Sequence, residues 1–357
     1  MDTCEYKAKP INSYEDFMVE KYWKRKRPSE IHFELTQKCN LRCAHCMFTH
    51  ESLDELSTEE VFSVLLELKK LGVLNLSLSG GEIFMRKDIV RILDFILEHR
   101  FLLVIYTNGT LLTPHHIEKI AALRPQNVDI SVYGATADVH DAITLVEGSF
   151  EKTIRNIKAL RESGVKVVFK GFLLRNNFHQ RREMVELANS LNVLYSFDYK
   201  MIPMETGHLA NLSEGLTIEQ IKQIYYEVDR EGLVLRNNVK IISRDNQLPP
   251  GGNVICNGGI VNGCISAGGD VYPCPVLRMK LGNIRDESFE KIWATDEIDP
   301  LRYMRREDLK TCIACSALEF CNRCPGVAYL ETGDYLGPAP AAVCSIHKAL
   351  ASEVERR

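Results

Sequence analysis

The chain has 357 residues, enough for one large or two ordinary domains with a substantial core. A formal charge of −4 gives no global field for nucleic acid, and 45% apolar with 26% charged residues is the balance of a soluble globular protein. No apolar run is long enough to span a bilayer, and Met1 to Lys7 has no signal-peptide core, so a cytoplasmic protein with no membrane or nucleic-acid partner is expected.

Twelve cysteines are many for such a chain. In a reducing compartment they point to metal binding or catalysis rather than disulfides. Three lie between residues 39 and 46, eight lie after residue 255, and Cys4 is left over.

In chain order, residues 1–29 read as a polar arm. Its run Lys21-Tyr22-Trp23-Lys24-Arg25-Lys26-Arg27 is either a solvated, partly helical face or a docking site for an acidic partner. From residue 30 to about 203, strands alternate with helices. Ile31, Phe33 and Leu35 mark the first strand, and the capping box Ser57-Thr58-Glu59-Glu60 opens the first helix. Strands are expected at 74–79, 101–106, 127–133, 165–173 and 193–202, with helices at about 89–97, 113–123, 149–163 and 179–191. Residues 204–253 form a bridging segment with a helix at 217–231, and the Gly/Pro-rich loop at 246–252 precedes a cysteine-rich domain at 254–357.

Six strand–helix units imply a parallel sheet. Strands buried on both faces of such a sheet read as continuous apolar runs. Here one face carries Glu34, Asn75, Ser77, Ser79, Asp129, Ser131, Lys166, Lys170, Ser196, Asp198 and Lys200. A filled barrel core excludes that many polar groups, whereas an incomplete, open barrel with a wet lumen accommodates them. Of the two architectures that fit six such units, a doubly wound sheet and a barrel-like sheet, an α/β fold with an open barrel is therefore expected, with its site at the C-terminal ends of the strands.

The loop after strand one holds Cys39, Cys43 and Cys46 at spacing C-x3-C-x2-C. A cubane iron–sulfur cluster takes one protein ligand per iron, so three thiolates leave one iron open to a chelating molecule. The competing reading is a zinc knuckle or three buried thiols. The spacing resembles the signature of radical S-adenosylmethionine (SAM) enzymes. That resemblance implies a [4Fe-4S] cluster whose open iron binds SAM, with reductive cleavage to a 5′-deoxyadenosyl radical that abstracts hydrogen from substrate. It also implies SAM contacts from Gly80, Gly81 and Glu82 after strand two and from Ser131 after strand four. Asn108 after strand three and Lys170 on strand five are further candidates for contacting SAM. Lys170 and Asp198 could equally pair with each other.

After residue 255 come Cys256, Cys264, Cys274, Cys312, Cys315, Cys321, Cys324 and Cys344, which is twice the four of a fully ligated cluster. A hairpin around Gly268-Gly269 and a helix from Ser288 surround them. Paired C-x2-C spacings alone suit zinc nearly as well. The pattern resembles the SPASM domain, the auxiliary-cluster extension of peptide-modifying radical SAM enzymes. Carried over, one cluster would use Cys256, Cys264, Cys274 and Cys324, and the other Cys312, Cys315, Cys321 and Cys344. The family's last pair is usually C-x3-C, whereas Cys321 and Cys324 are separated by two residues.

The resemblance spans residues 30 to about 350. It implies a partial (β/α)6 TIM-like barrel with a C-terminal cysteine-rich iron–sulfur domain, three [4Fe-4S] clusters, SAM, and a maturase that crosslinks a ribosomally made precursor peptide. Its partners would be that peptide, a separate leader-recognition protein and a flavodoxin- or ferredoxin-type electron donor. The alternatives are an anaerobic sulfatase-maturing enzyme with a carboxylate base such as Asp198, a haem- or porphyrin-pathway enzyme, and a non-catalytic zinc or iron–sulfur scaffold or electron-transfer protein. A polar lumen argues against the macrocycle, and the scaffold reading predicts no SAM binding.

Overall fold

The computed structural model describes residues 14–50, 54–230, 256–309, 311–318 and 323–355, together with 233, 235 and 321. Cys4, the loop at 246–252 and the boundary at 253/254 lie outside the described residues. No helix among the described residues is long and apolar enough to cross a membrane.

The described part of the N-terminal arm begins with α1 at Tyr14–Met18, followed by a wider turn at Val19–Trp23. Tyr22 is buried, and its hydroxyl donates to Gly72 O at 2.8 Å. Lys26 pairs with Asp299 at 2.7 Å, Lys24 pairs with Glu20, and Lys21 lies over the Phe17 and Tyr22 rings. These contacts favour a packed, solvated arm over a docking site.

Next come β1 (Glu30–Thr36), α2 (Thr58–Leu71), β2 (Asn75–Gly80), α3 (Ile89–His99), β3 (Leu102–Thr107), α4 (Pro114–Leu123) and β4 (Asn127–Ser131). They are followed by α5 (Ala137–Thr144), α6 (Ser149–Glu162), β5 (Val167–Phe172), α7 (Arg181–Ser190), β6 (Leu194–Asp198) and α8 (Ile218–Arg230). The capping box forms as its sequence predicts: Ser57 accepts from Glu60 N–H, and Glu60 accepts from Ser57 N–H. Helix α5 is an element that the sequence reading lacks.

The six strands lie in order and parallel. Ile31, Phe33, Leu76, Leu78, Ile105, Ile130, Phe169 and Phe197 point outward into one hydrophobic cluster with the helices. Each such side chain contributes about 1.5–3 kcal/mol on burial. The alternate positions, His32, Glu34, Ser77, Ser79, Tyr106, Asp129, Ser131 and Lys170, therefore face the other way, which makes the lumen polar. Two expected lumen residues are corrected. Lys166 precedes β5 and is exposed, and Lys200 lies beyond β6. Strand β6 stops at Asp198, whose carboxylate accepts from Tyr199 and Lys200 N–H and so draws those groups off the ladder.

Strand β1 does not pair with β6, so the barrel is open. The edge of β1 is taken instead by β7 (Asn262–Ile265), parallel to it, with β8 (Asp270–Tyr272) and β9 (Gly282–Asn283) antiparallel beyond. The cysteine-rich region thus continues the barrel sheet. Its short helices are α9 (Phe289–Trp293), α10 (Asp299–Arg302), α11 (Pro325–Thr332) and α12 (Ser345–Glu355). Arg302, 1% exposed, ties α9 and α10 to the turn before β7. Its guanidinium donates to Gly259 O and Thr295 O, both at 2.7 Å, to Trp293 O, and to Asp299 at 3.0 Å.

Candidate metal centre

The loop after β1 is seated by β2. Gly81 N–H donates to Thr36 O at 2.7 Å and Glu82 N–H to Lys38 O at 2.8 Å. Gly80 has φ +128°, and a Cβ there would lie 2.1 Å from Thr36 O; one on Gly81 would lie 2.3 Å from Lys38 O. These glycines bring the strand end onto the base of the cysteine loop, a role additional to ligand approach. The other side of the loop is pinned by α5, through Arg42 N–H to Thr144 O and Ala44 N–H to Ile143 O.

Cys39, Cys43 and Cys46 line one cavity of about 300 Å³. Gly80, Gly81, Asn108 and Ser131 line the same cavity, so four of the six residues expected to meet SAM converge on the thiols. Asn108 accepts from Thr110 and donates to Asn40 Oδ1 at 3.0 Å, with its amide also 3.9 Å from the Cys39 sulfur. It therefore braces the loop beside the first cysteine.

The other two expected residues are elsewhere. Glu82 is fully buried, and its carboxylate accepts from Phe84 N–H, Asn108 N–H and the Thr107 hydroxyl at 2.7–3.1 Å. Burial pushes its pKa up to about 7, and those three donors oppose the rise. Its side chain is absorbed in joining the ends of β2 and β3 and does not line the cavity. Lys170 does not line it either. It stands opposite Ser131 and Ser196 in the sheet, where its charge offsets part of the burial penalty that raises the Asp129 carboxyl.

Several lining residues carried no role in the sequence reading. His45 packs edge-on to Tyr133 with ring centres 4.5 Å apart and stacks on Phe172 at 5.9 Å. Burial lowers its pKa to about 4, and its Nδ1 has no partner. Its place between Cys43 and Cys46 is the one signal the sequence offers. Phe48, Met201 and Ile202 also line the cavity.

Burial pushes the Cys43 thiol far up, the Cys46 thiol up to about 11, and the Cys39 thiol up as well. All three are protonated at neutral pH, so a metal must displace protons to bind. The thiolate fraction grows about tenfold per pH unit below the pKa. Anaerobic cluster assembly, followed by iron–sulfide absorbance, is therefore expected to accelerate from pH about 7 to about 9. A flat rate would mean that the thiols are already ionised.

The eight later cysteines form two groups. Cys274 feels the charges of Cys256 and Cys324, while Cys264 feels that of Cys274. Cys321 feels those of Cys312, Cys315 and Cys344, and these four line a second, small cavity. Despite the short Cys321–Cys324 spacing, the two residues fall in different groups. Between the first group and the lumen stands Arg278, paired with both oxygens of Glu34 at 2.6 and 3.1 Å. Burial raises the Glu34 carboxyl and Arg278 pulls it back; burial and then Arg278 lower His32 to about 4.

Among the described residues no three His, Cys, Asp or Glu side chains close in as a single ion needs. Thiols spread around cavities suit polynuclear clusters, in which each sulfur meets its own iron, better than one tetrahedral zinc.

Comparison with known proteins agrees with that chemistry. The family model of the radical SAM superfamily matches residues 33–188, and that of an iron–sulfur cluster-binding domain, SPASM, matches residues 256–325. The AdoMet-dependent heme synthase of Methanosarcina barkeri is 30% identical over 338 residues, covering 88% of this chain and 96% of the relative. The mycofactocin maturase MftC of Mycolicibacterium smegmatis is 29% identical over 331 residues, covering 88% and 83%. In fold, the chain is similar to Streptococcus suis SuiB bound to its precursor peptide SuiA, with TM-score 0.66, 18% identity, and coverage of 89% and 76%.

Proposed function

Because the chain belongs to the radical SAM superfamily and carries an iron–sulfur SPASM domain, we propose that this enzyme is a maturase of a ribosomally made precursor peptide. Cys39, Cys43 and Cys46 would hold a [4Fe-4S] cluster with SAM on the iron they leave open. The groups containing Cys256 and Cys312 would hold two auxiliary clusters, making three in all. When bound, these supply the electron that splits SAM to a 5′-deoxyadenosyl radical and a sink for the electron left over once the peptide has been oxidised. The chain's own side chains do the rest. Gly80, Gly81, Asn108 and Ser131 orient SAM, Glu82 holds Asn108 N–H in place, and the aromatic wall of His45, Tyr133 and Phe172 keeps water from the radical. The reading includes a cytoplasmic location, an external flavodoxin- or ferredoxin-type donor and a separate leader-recognition protein.

One observation carries the choice of a peptide. Among the described residues lining the cavity there is no Lys or Arg, while Ser79, Thr107, Asn108 and Ser131 offer neutral hydrogen bonds. Behind the wall Arg278 is paired with Glu34 and the Lys170 charge acts on Asp129, while the exposed Arg42 in the cysteine loop donates to the carbonyls of Cys39 and Leu41. Neutral donors and acceptors suit peptide amides; the carboxylates of a macrocycle would ask for free cations. The MftC relative supports this reading. The Methanosarcina barkeri relative, with its longer coverage, supports a second: a tetrapyrrole substrate.

The test is anaerobic turnover with SAM and reductant, comparing a panel of synthetic precursor-type peptides with a propionate-bearing porphyrin. We expect the peptide to stimulate 5′-deoxyadenosine formation and to lose hydrogen mass. Stimulation by the porphyrin alone, with loss of carboxyl mass, would overturn the peptide reading.

A further inference from the structure

One buried charge cluster has no part in the chemistry above. Arg278 follows Cys274 closely, and Leu277 N–H donates to the Cys274 sulfur at 3.2 Å. From there the guanidinium reaches the lumen. Besides Glu34 it stands 3.7 Å from Glu205, and it lies over the rings of Tyr272 and Phe48 at 5.2 and 5.8 Å. Its side chain is 7% exposed, and its Nε has no partner.

Both ends of this cluster reach a cysteine site. On one side, the β1–β7 register sets Cys264 opposite His32, so Glu34 lies two residues further along the strand that Cys264 faces. On the other, Glu205 accepts from Thr49 N–H at 3.2 Å and from Gln37 Nε2 at 3.3 Å, two residues that bracket the cysteine loop. Glu205 N–H also donates to Met47 O at 2.9 Å, and Phe48 is a wall of the cavity. A single guanidinium therefore stands one residue from the auxiliary cysteines and one residue from the SAM-side loop.

We propose that Arg278 is a positioning residue that couples the auxiliary group Cys256, Cys264, Cys274 and Cys324 to the SAM cavity. Loading that group anchors Cys264, which faces the strand that carries Glu34, and Glu34 in turn is gripped through both oxygens by Arg278. It also fixes the Cys274 segment from which Arg278 extends. Arg278 is then locked between Glu34 and Glu205, and Phe48 and the bracketing residues of the cysteine loop are held in the SAM-binding arrangement. An enzyme whose auxiliary group is empty would bind SAM poorly, so radical formation would wait for the electron sink to be in place. This inference rests on the radical SAM reading.

Proximity alone is not coupling, and a double-mutant cycle measures the coupling directly. The full chain is reconstituted anaerobically. SAM affinity is measured by equilibrium dialysis, and the EPR change of the reduced first cluster on adding SAM is recorded for wild type, Arg278→Met, Cys264→Ala and the double variant. Each single variant is expected to weaken SAM binding about tenfold and to blunt the EPR change, with the double variant no worse than either single one. Arg278→Lys, which keeps charge but not the two-oxygen grip, should recover part of the loss. If Arg278→Met folds poorly because Glu34 is left unpaired, Arg278→Met with Glu34→Gln removes both charges; SAM binding should remain weak in that folded protein. Affinity within about twofold of wild type for Arg278→Met, or losses that multiply in the double variant, would overturn the proposal. Wild type failing to bind SAM would count against the radical SAM reading itself.

Discussion

Cys43→Ala is expected to abolish 5′-deoxyadenosine formation, with more than about a 100-fold loss, since even outer partners of metal ligands cost 10–100-fold. Cys43 shares one cavity with Cys39 and Cys46 and feels the charge of both. Without it a cluster would have two protein ligands and two open irons, a site that loses iron. Iron content should fall by one cluster's share, about four irons, while the rest stays. The fold should persist, because the loop is held by backbone bonds to Thr144, Ile143, Gly81 and Glu82 rather than by the thiol. Anaerobic assay of 5′-deoxyadenosine beside iron analysis gives the answer. Unimpaired SAM cleavage in Cys43→Ala would remove this loop from the chemistry, and with it the proposed function.

The largest stability effect is expected at a residue that touches no cysteine. Arg302→Met should destabilise the protein by about 3–5 kcal/mol, because it strips the donors from two buried carbonyls, those of Gly259 and Trp293. The carbonyls of Gly259, Trp293 and Thr295 and the Asp299 carboxylate would all lose a partner. Lysine cannot repair this, since one ammonium does not span four acceptors set in a fork. Gly259 lies between Cys256 and Cys264, so the first auxiliary group should lose iron together with stability. Chemical denaturation of the reconstituted protein, with iron analysis of both variants, measures the effect. A loss under about 1 kcal/mol would mean that water reaches those carbonyls.

Much of this was legible because it is local. The alternation of Leu76 and Leu78 with Ser77 and Ser79 gives both a strand and a polar lumen face, and Ser57 with Glu60 gives a helix start. The cysteine spacings point to clusters because thiolate ligation leaves few other readings. What stayed hidden depends on partners distant in sequence or on where a side chain turns. Glu82 follows two glycines next to the site, yet its carboxylate turns inward to Thr107 and Asn108. Arg278 carries no motif, and only the approach of Glu34, 244 residues away, gives it meaning. Helix α5 was missed because Ala137 to Thr144 spans only about two turns, although its end pins the cysteine loop. The hairpin around Gly268 was read as a hairpin, but nothing in its residues says that β7 would lie against β1.

That last pairing sets a schedule for the ribosome. Strand β1 leaves the exit tunnel early and finds β2 soon after, but its other edge waits for β7, about 230 residues later. At about 5–20 residues per second, that is roughly 10–50 s during which a row of unpaired backbone groups is open to any passing strand. A nascent barrel without its cysteine-rich tail is thus a template for misassembly, and the tail closes the barrel's open flank as well as carrying sulfur.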